Sequence, residues 1–600
     1  MTASTFPDSL ASSNDRTRRR YNLFLLLVAG LGGLLYGIDV GIIGGALPYL
    51  EATSKLDPSQ LSIIVAAVLL GSVFSTLFAG MLADWMGRKP MMILSGLSFI
   101  LSIPVIALSQ GYSSLFFGRL LQGMSGGLIG IVVPLYLAEC LSASTRGKGT
   151  GVFQWLLTFG IVAAALIGIF FSYRVQAVAH LGDPAALYNF KNHAWRSIFW
   201  VSLPPGALFV IGAFMVTESP RWLYRRNPEK ARTALLRSRS PEQATIELHE
   251  METASKPTAP AGAKVRDSLL RRKYVIPFLL ACVILACNTA TGINSVIGFN
   301  TNILLQSGLS DLQAHWGYVL FTAFNFCFTA IGMMLVDRKG RKFLFVLGTS
   351  GIILSMVTVG TLFKRTERQT VDCRSQIQSL VTPDQQLTFQ FNQAEAQRLL
   401  AASGSTSDDI QPGRASFAII FSYGDFTGTT SYVRSDDPAT PPLKISRDVA
   451  VPANKVQALF SNPFGDYEAA KLAPLKIEKA ILGPVPSENH GWLVAIFIYL
   501  FVAFYATGPG VCVWLALSEL MPTRIRSNGM SIALVINQLV AATLQAIFLP
   551  FVSKHNYSSM FYLFAGFTVV YFLTAAFLLP ETKGKTLEEI EAFFDKGAAH

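Results

Sequence analysis

The chain has 600 residues, 51% of them hydrophobic and only 14% charged, with a formal net charge of +12. Soluble domains carry roughly 25% charged residues, so this balance and a mean hydropathy of +0.43 exclude a water-soluble globular fold and place the chain in a membrane. The basic residues are scattered through short loops and form no single stripe, which makes the charge a matter of anchoring and topology and argues against nucleic-acid binding.

Twelve apolar stretches are long enough to cross roughly 30 Å of hydrocarbon. They fall at about 22–50, 60–83, 90–109, 115–139, 149–172, 195–216, 274–303, 316–336, 343–363, 492–518, 529–552 and 558–580. An even number puts both termini on one side. Basic groups at Arg16 to Arg20, Arg88/Lys89, Arg146/Lys148, Arg221 to Arg239, Arg271 to Lys273, Arg338 to Lys342 and Arg524/Arg526 share one face when the spans alternate. The positive-inside rule makes that face cytoplasmic. The first apolar segment is too long for a signal peptide and lacks a clear cleavage site, so it is read as a retained span.

The expected order begins with a cytoplasmic tail, 1–20, and a six-span bundle, 21–218, followed by linker helices, 219–273. A second bundle occupies 274–363 and 491–580, and the tail 581–600 closes the chain. The two halves repeat each other. Asp84 with Gly87-Arg88-Lys89 after span two matches Asp337-Arg338 with Gly340-Arg341-Lys342 after span eight, and Glu139 with Arg146 matches Glu519 with Arg526. From Asp84 to Glu139 is 55 residues but from Asp337 to Glu519 is 182, so the second half carries 127 more, the length of segment 364–490. That polar segment is predicted to be a small α+β module on the external face, with strands at Leu387–Phe391 and Phe417–Tyr423 and helices at 453–461 and 465–473. Its single cysteine, Cys373, allows no internal disulfide, which fits a bacterial periplasm. The fold class is therefore all-α membrane protein, twelve transmembrane helices in two six-helix bundles with a soluble extracytoplasmic insert.

Asp39 stands alone in an uncharged span, at a cost of roughly 2.5–3.5 kcal/mol on insertion scales, which points to proton or ion movement. Counting 1.5 Å per residue from the cytoplasmic ends puts Asp39 roughly 25 Å and Arg119 roughly 30 Å up, both in the outer half, so the two are expected to pair. A carboxylate that takes a proton when dry and releases it beside arginine is suited to proton coupling. The competing reading is a fixed salt bridge fastening two helices. Gln154, Asn288, Thr289, Asn294, Asn325, Asn537 and Gln538 supply amides and a hydroxyl inside apolar spans, and Trp514 an aromatic face, as a neutral polyol needs to replace its water. The bland reading of each is an interhelical hydrogen bond. Asp84, Glu139, Glu218, Asp337, Glu519 and Glu581 lie at cytoplasmic span ends near Arg88, Arg146, Arg221, Arg341 and Arg526, and ion pairs between bundles would latch that side shut.

These motifs together resemble the sugar porter family of the major facilitator superfamily. The resemblance rests on the two Gly-Arg-Lys loops, on Glu218-Ser219-Pro220-Arg221-Trp222-Leu223 with Thr217 where the family begins with proline, and on Pro580-Glu581-Thr582 with Lys583-Gly584-Lys585 at the end. It covers both halves but not the insert. It implies that Asp39 in Gly37-Ile38-Asp39-Val40-Gly41 belongs with the proton symporters, and that Gln154, Asn294, Asn325, Trp514 and Asn537 occupy sugar-contacting positions. Asn288-Thr289 stands where the family has a glutamine pair, Gly298-Phe299 where it has an aromatic pair, and Ile161 where relatives carry a further glutamine.

No metal-ligand spacing, nucleotide-binding loop or nucleophile–base set occurs, so no enzyme activity, metal or cofactor is expected. The expected function is import of a sugar or polyol with a proton by alternating access between the bundles. A uniporter, a symporter for another polar solute and a non-transporting nutrient sensor are the alternatives. The expected partners are the solute, protons and the bilayer, with an unknown extracytoplasmic partner for the insert. The chain is read as a monomer in a cell membrane, multi-pass, with both termini cytoplasmic.

Overall fold

The computed structural model describes residues 8–54, 56–141, 143–255, 271–403, 410–436, 442–452, 454, 455, 458, 462, 465–522, 525–581, 589, 590, 593 and 594. Long helices dominate, because uninterrupted apolar runs in a lipid setting can satisfy their backbone polar groups only within themselves. The first half comprises α1 (Asp8–Thr53), α2 (Pro58–Met86), α3 (Arg88–Ala107), α4 (Tyr112–Cys140), α5 (Ala143–Ala179), α6 (Pro184–Trp200) and α7 (Leu203–Met215). Short helices α8 (Pro220–Tyr224), α9 (Pro228–Ser238) and α10 (Pro241–Ser255) follow in the linker. The second half holds α11 (Arg272–Ala290), α12 (Ile293–Gln306), α13 (Asp311–Lys339), α14 (Arg341–Glu367), α15 (Glu488–Thr507), α16 (Pro509–Leu520) and α17 (Arg526–Leu573).

Local sequence sets the breaks. Capping boxes, Asp57 with Gln60 and Ser310 with Gln313, start α2 and α13. Gly292, at φ +88°, turns α11 into α12, a conformation that a side chain would strain.

Eleven helical segments among the described residues are long and apolar enough to cross a membrane, where the sequence reading has twelve. The difference lies in the last, Gly529–Leu578, which joins the expected spans 529–552 and 558–580 without an intervening loop. A single non-helical residue, Asn556 at φ 70° and ψ 163°, divides it. The chain reverses there. Asn537 and Gln545 before it bond the carbonyls of Leu285 and Asn294 in ascending order, whereas after it Ser558 meets Glu367 and Tyr571 meets Phe345, descending along α14.

Close helix approach depends on glycine. A methyl group on Gly37 of α1 would lie 1.9 Å from the Leu157 carbonyl oxygen and 2.9 Å from Gly160 Cα on α5. Gly37→Val is therefore expected to cost at least about 2 kcal/mol through overpacking, read as a lower melting temperature of the detergent-solubilised protein with Gly80→Val as control, since space around Gly80 is open.

The segment between α14 and α15 folds around its own core. Strands β1 (Val371–Asp372), β3 (Ala415–Tyr423), β4 (Phe426–Thr429), β5 (Val433–Arg434) and β7 (Leu475–Pro484) form an antiparallel sheet in the order β1-β7-β3-β4, with β5 also on β3. Strands β2 (Leu387–Phe389) and β6 (Leu443–Ile445) pair separately. The central strand β3 is buried along nearly its whole length, and Phe417 stacks on Phe391 at 5.0 Å. Helices occur at Arg374–Gln378, Gln393–Ala402, Arg447–Ala450 and Tyr467–Leu472. The expected helix at 465–473 corresponds to the last of these, and much of the one at 453–461 lies outside the described residues. Burial pushes the Cys373 thiol up to about 11, which keeps it protonated and unreactive.

Candidate functional site

The structure brings Asp39 and Arg119 together. Both are fully buried, on α1 and α4, with Arg119 Nη1 4.0 Å from Asp39 Oδ1. Arg119 donates to Gln122 Oε1 at 2.6 Å and lies over the Phe199 ring at 5.7 Å. Neither carboxylate oxygen of Asp39 has a hydrogen-bond partner among the described residues. Gly126 of α4 makes room for the acid, since a methyl group there would stand 2.7 Å from Asp39 Oδ2 and 3.2 Å from the Tyr36 ring. For such an acid burial favours the neutral form and a neighbouring arginine the charged one.

Helical spacing would have found two further members that the reading of the sequence did not name. Tyr36 sits three residues before Asp39 and Gln122 three after Arg119, hence on the same helix faces. The Tyr36 hydroxyl is within hydrogen-bonding reach of the Gln538 side chain on α17, which links the acid to the opposite half.

The expected cavity residues divide. Thr289 Oγ1 donates to the Asn537 carbonyl at 3.2 Å and Asn537 Nδ2 to the Leu285 carbonyl at 2.8 Å, so these two tie α11 to α17. Asn288 donates to the Tyr505 hydroxyl at 3.1 Å, and its Oδ1 has no partner among the described residues. Asn325 is buried on α13, while Gln154 on α5 and Asn294 on α12 are half-buried. The Asn294 carbonyl accepts from Gln545 Nε2 at 2.8 Å. Gln545, Tyr505 and Asn300 were not anticipated. Asn300 is fully buried, and neither of its amide atoms has a hydrogen-bond partner among the described residues. The side chain of Trp514 lies outside the described residues.

At the opposite end the acidic and basic groups form two matching sets. Arg88 Nη2 lies 2.8 Å from Asp84 Oδ1 and 2.9 Å from Glu139 Oε1, its Nη1 donates to the Ala83 carbonyl at 3.0 Å, and Glu139 also accepts from Ser219 Oγ. Glu218 accepts from the backbone N–H groups of Arg88 at 3.0 Å and Lys89 at 3.1 Å, a carboxylate on the start of α3. In the second half Arg341 Nη2 lies 3.0 Å from Glu519 Oε1, and Glu581 accepts from the N–H groups of Arg341 at 3.1 Å and Lys342 at 3.2 Å. Gly87 and Gly340, at φ +106° and +90°, let the carboxylates approach. Each of these contacts joins residues of one half. Arg221 is exposed, and the side chains of Arg146, Asp337 and Arg526 lie outside the described residues.

Hydrogen bonds between the halves gather at the other end. Asp311 of α13 accepts from Tyr49 of α1 at 2.9 Å and Ser172 of α5 at 2.6 Å, Tyr318 donates to the Gly41 carbonyl at 2.7 Å and Thr301 to that of Gly44 at 2.7 Å. Ser62 of α2 accepts from the Leu549 N–H at 3.0 Å. The molecule is closed at the 41–62 end.

A family model described as "Sugar (and other) transporter" matches residues 25–377 and 477–594, leaving out the middle of the insert. The chain is 25% identical to a proton myo-inositol cotransporter of Homo sapiens over 95% of this chain and 82% of that protein. It is 23% identical to polyol transporter 5 of Arabidopsis thaliana over 98% of this chain and 89% of that protein. A solved structure of the xylose transporter XylE from E. coli, in a partially occluded inward open conformation, aligns with a TM-score of 0.62 and 20% identity over 94% of this chain and all of that one, a likeness of fold.

Proposed function

Because the chain belongs to the sugar (and other) transporter family, we propose that it is a secondary active transporter that carries a polyol or sugar inward together with a proton. Asp39 is the proton carrier. The observation that carries this reading is a carboxylate fully buried 4.0 Å from Arg119 with neither oxygen hydrogen-bonded, a site whose protonation can change with the packing around it. Tyr36 and Gln538 extend from that site to the second half, so a change at Asp39 is felt across the interface where Asn288, Asn294, Gln154 and Asn325 line the solute path. The relatives named for myo-inositol and polyols favour a ring or chain rich in hydroxyl groups.

The chain crosses the membrane twelve times, counting the reversal at Asn556 as the eleventh-to-twelfth turn. Both termini are cytoplasmic, the insert is extracytoplasmic, and the protein works as a monomer in a cell membrane. In that orientation the closed 41–62 end is the external one. Glu139, Glu218, Glu519 and Glu581 with Arg88 and Arg341 keep each bundle's cytoplasmic ends rigid as the bundles rock.

Uptake of myo-inositol, xylose and glucose into proteoliposomes under an imposed pH difference tests this reading. At least one is expected to accumulate above its external concentration, and to stop doing so when the difference is collapsed. Accumulation that ignores the pH difference refutes proton coupling, and binding without flux would make the chain a sensor.

A further inference from the structure

Beyond the acid at the centre, α1 carries a second buried carboxylate near its external end. Glu51 is paired with no ammonium or guanidinium group among the described residues. Its donors are Asn302 Nδ2 of α12, at 2.5 Å, and the Ser431 hydroxyl of the insert. With Pro58, Tyr432, Leu549, Val552 and Tyr557 these residues close around a cavity of about 20 Å³, room for about one water molecule. Three separate parts of the chain meet at this one carboxylate: the first half, the second half and the insert.

The insert is fastened to the second half alone at the neighbouring contacts. It grows from the ends of α14 and α15. Arg434, just beyond Tyr432 in the chain, points Nη1 at the carbonyls of Leu305 and Leu309, at 3.5 and 3.4 Å, where a cation suits the end of α12. Val433 is held in register against Phe417 of the central strand. A segment so anchored moves with the second half. When the external ends of the halves part, Glu51 leaves with α1 and both its donors stay behind.

We propose that Glu51 is a gating residue of the transport cycle and that the insert's Ser431–Tyr432 segment, the link between β4 and β5, is its counterpart, a cap that completes external closure. This rests on the transport reading above and names what holds the external side shut. The contact behaves as two discrete arrangements, because a desolvated carboxylate either keeps its donors or is surrounded by water, with intermediate states left unsatisfied. The shared carboxylate gives the insert a task in the cycle: it biases the equilibrium toward the externally closed form, and every external opening must break this contact.

The test uses a thiol placed beneath the cap. Val65 of α2 is buried and faces Gly298 of α12, and Val65→Cys changes little volume. Labelling of this variant by a membrane-impermeant maleimide from outside, in sealed right-side-out vesicles, is compared with that of the parent chain, which retains Val65 and sets the background. Adding Ser431→Ala is expected to speed labelling about five-fold, the size of one lost hydrogen bond of ordinary strength. Ser431→Thr, which retains the hydroxyl, is expected to label at the starting rate, an outcome that a packing role would not give. Glu51→Ala is expected to act in the same direction, and Glu51→Ala combined with Ser431→Ala to label no faster than Glu51→Ala alone. Equal rates in all variants, or effects of the two substitutions that multiply, would overturn the proposal. Labelling reports opening whether or not solute moves, so its failure is separate from a failure of proton coupling.

Discussion

Asp39→Asn is expected to abolish accumulation while leaving solute exchange across the membrane intact. A pH difference of one unit supplies about 1.4 kcal/mol, a tenfold concentration ratio for one proton per solute, so the parent chain should approach about tenfold and the variant about onefold. The substitution keeps the shape beside Gly126, where space is tight enough that a methyl group would stand 2.7 Å from Asp39 Oδ2, and removes both the negative charge and the capacity to bind a proton. Arg119 retains its bond to Gln122 at 2.6 Å and its place over Phe199, so it is not left without support. Exchange measured with labelled solute, equal inside and out, checks that the variant is folded and moving. Accumulation that survives in the variant would return Asp39 to the role of a strut between α1 and α4. Loss of exchange as well would mean that the charge is needed for folding or for rocking, and that the proton sits elsewhere.

What could be read from residues alone depended on how local the signal was. Apolar run length marks helices because the bilayer imposes a minimum span, and the paired Gly-Arg-Lys loops marked the internal repeat because each loop performs the same local task at the start of α3 and α14. The reversal at Asn556 was readable as two stretches but not as a turn, since one residue at positive φ replaces a loop. The neighbourhood of Asp39 and Arg119 followed from depth, which is arithmetic along two helices. Thr289 and Asn537 show the limit: polarity inside a span is the same signal whether the group faces solute or a neighbouring helix, and here both bond across α11 and α17. The contacts of Glu139 and Glu519 show another. Sequence placed them near arginines, but whether an ion pair lies within or between bundles is decided by helix rotation, which no spacing of charges reveals.

Arg88→Ala is expected to be among the most destabilising single changes in the first half, at about 3–5 kcal/mol, because it strips a buried carboxylate of its partner. Arg88 is 6% exposed and the Glu139 side chain 10%, so little water reaches the pair to offset the loss. With the guanidinium gone, Glu139 keeps Ser219 Oγ as a donor, and Asp84, which is exposed, is released to solvent. The backbone bonds from Arg88 and Lys89 to Glu218 do not need the side chain, so the start of α3 should stay anchored and the damage should fall on the α2–α4 contact. Arg88→Lys should recover part of the loss, since an ammonium group can pair with Glu139 but cannot also span to Asp84 and the Ala83 carbonyl with a planar fork. Arg221→Ala serves as the contrast: the residue is exposed, and its removal is expected to change stability by no more than about 0.5 kcal/mol. Melting temperatures of the three variants in one detergent decide the matter. If Arg88→Ala and Arg221→Ala melt alike, the buried set is no more than a marker of helix ends. If Arg88→Ala melts far lower, its ion pair is the fastening that holds the cytoplasmic ends of α2, α3 and α4 as one body, and the bundle can tilt without coming apart.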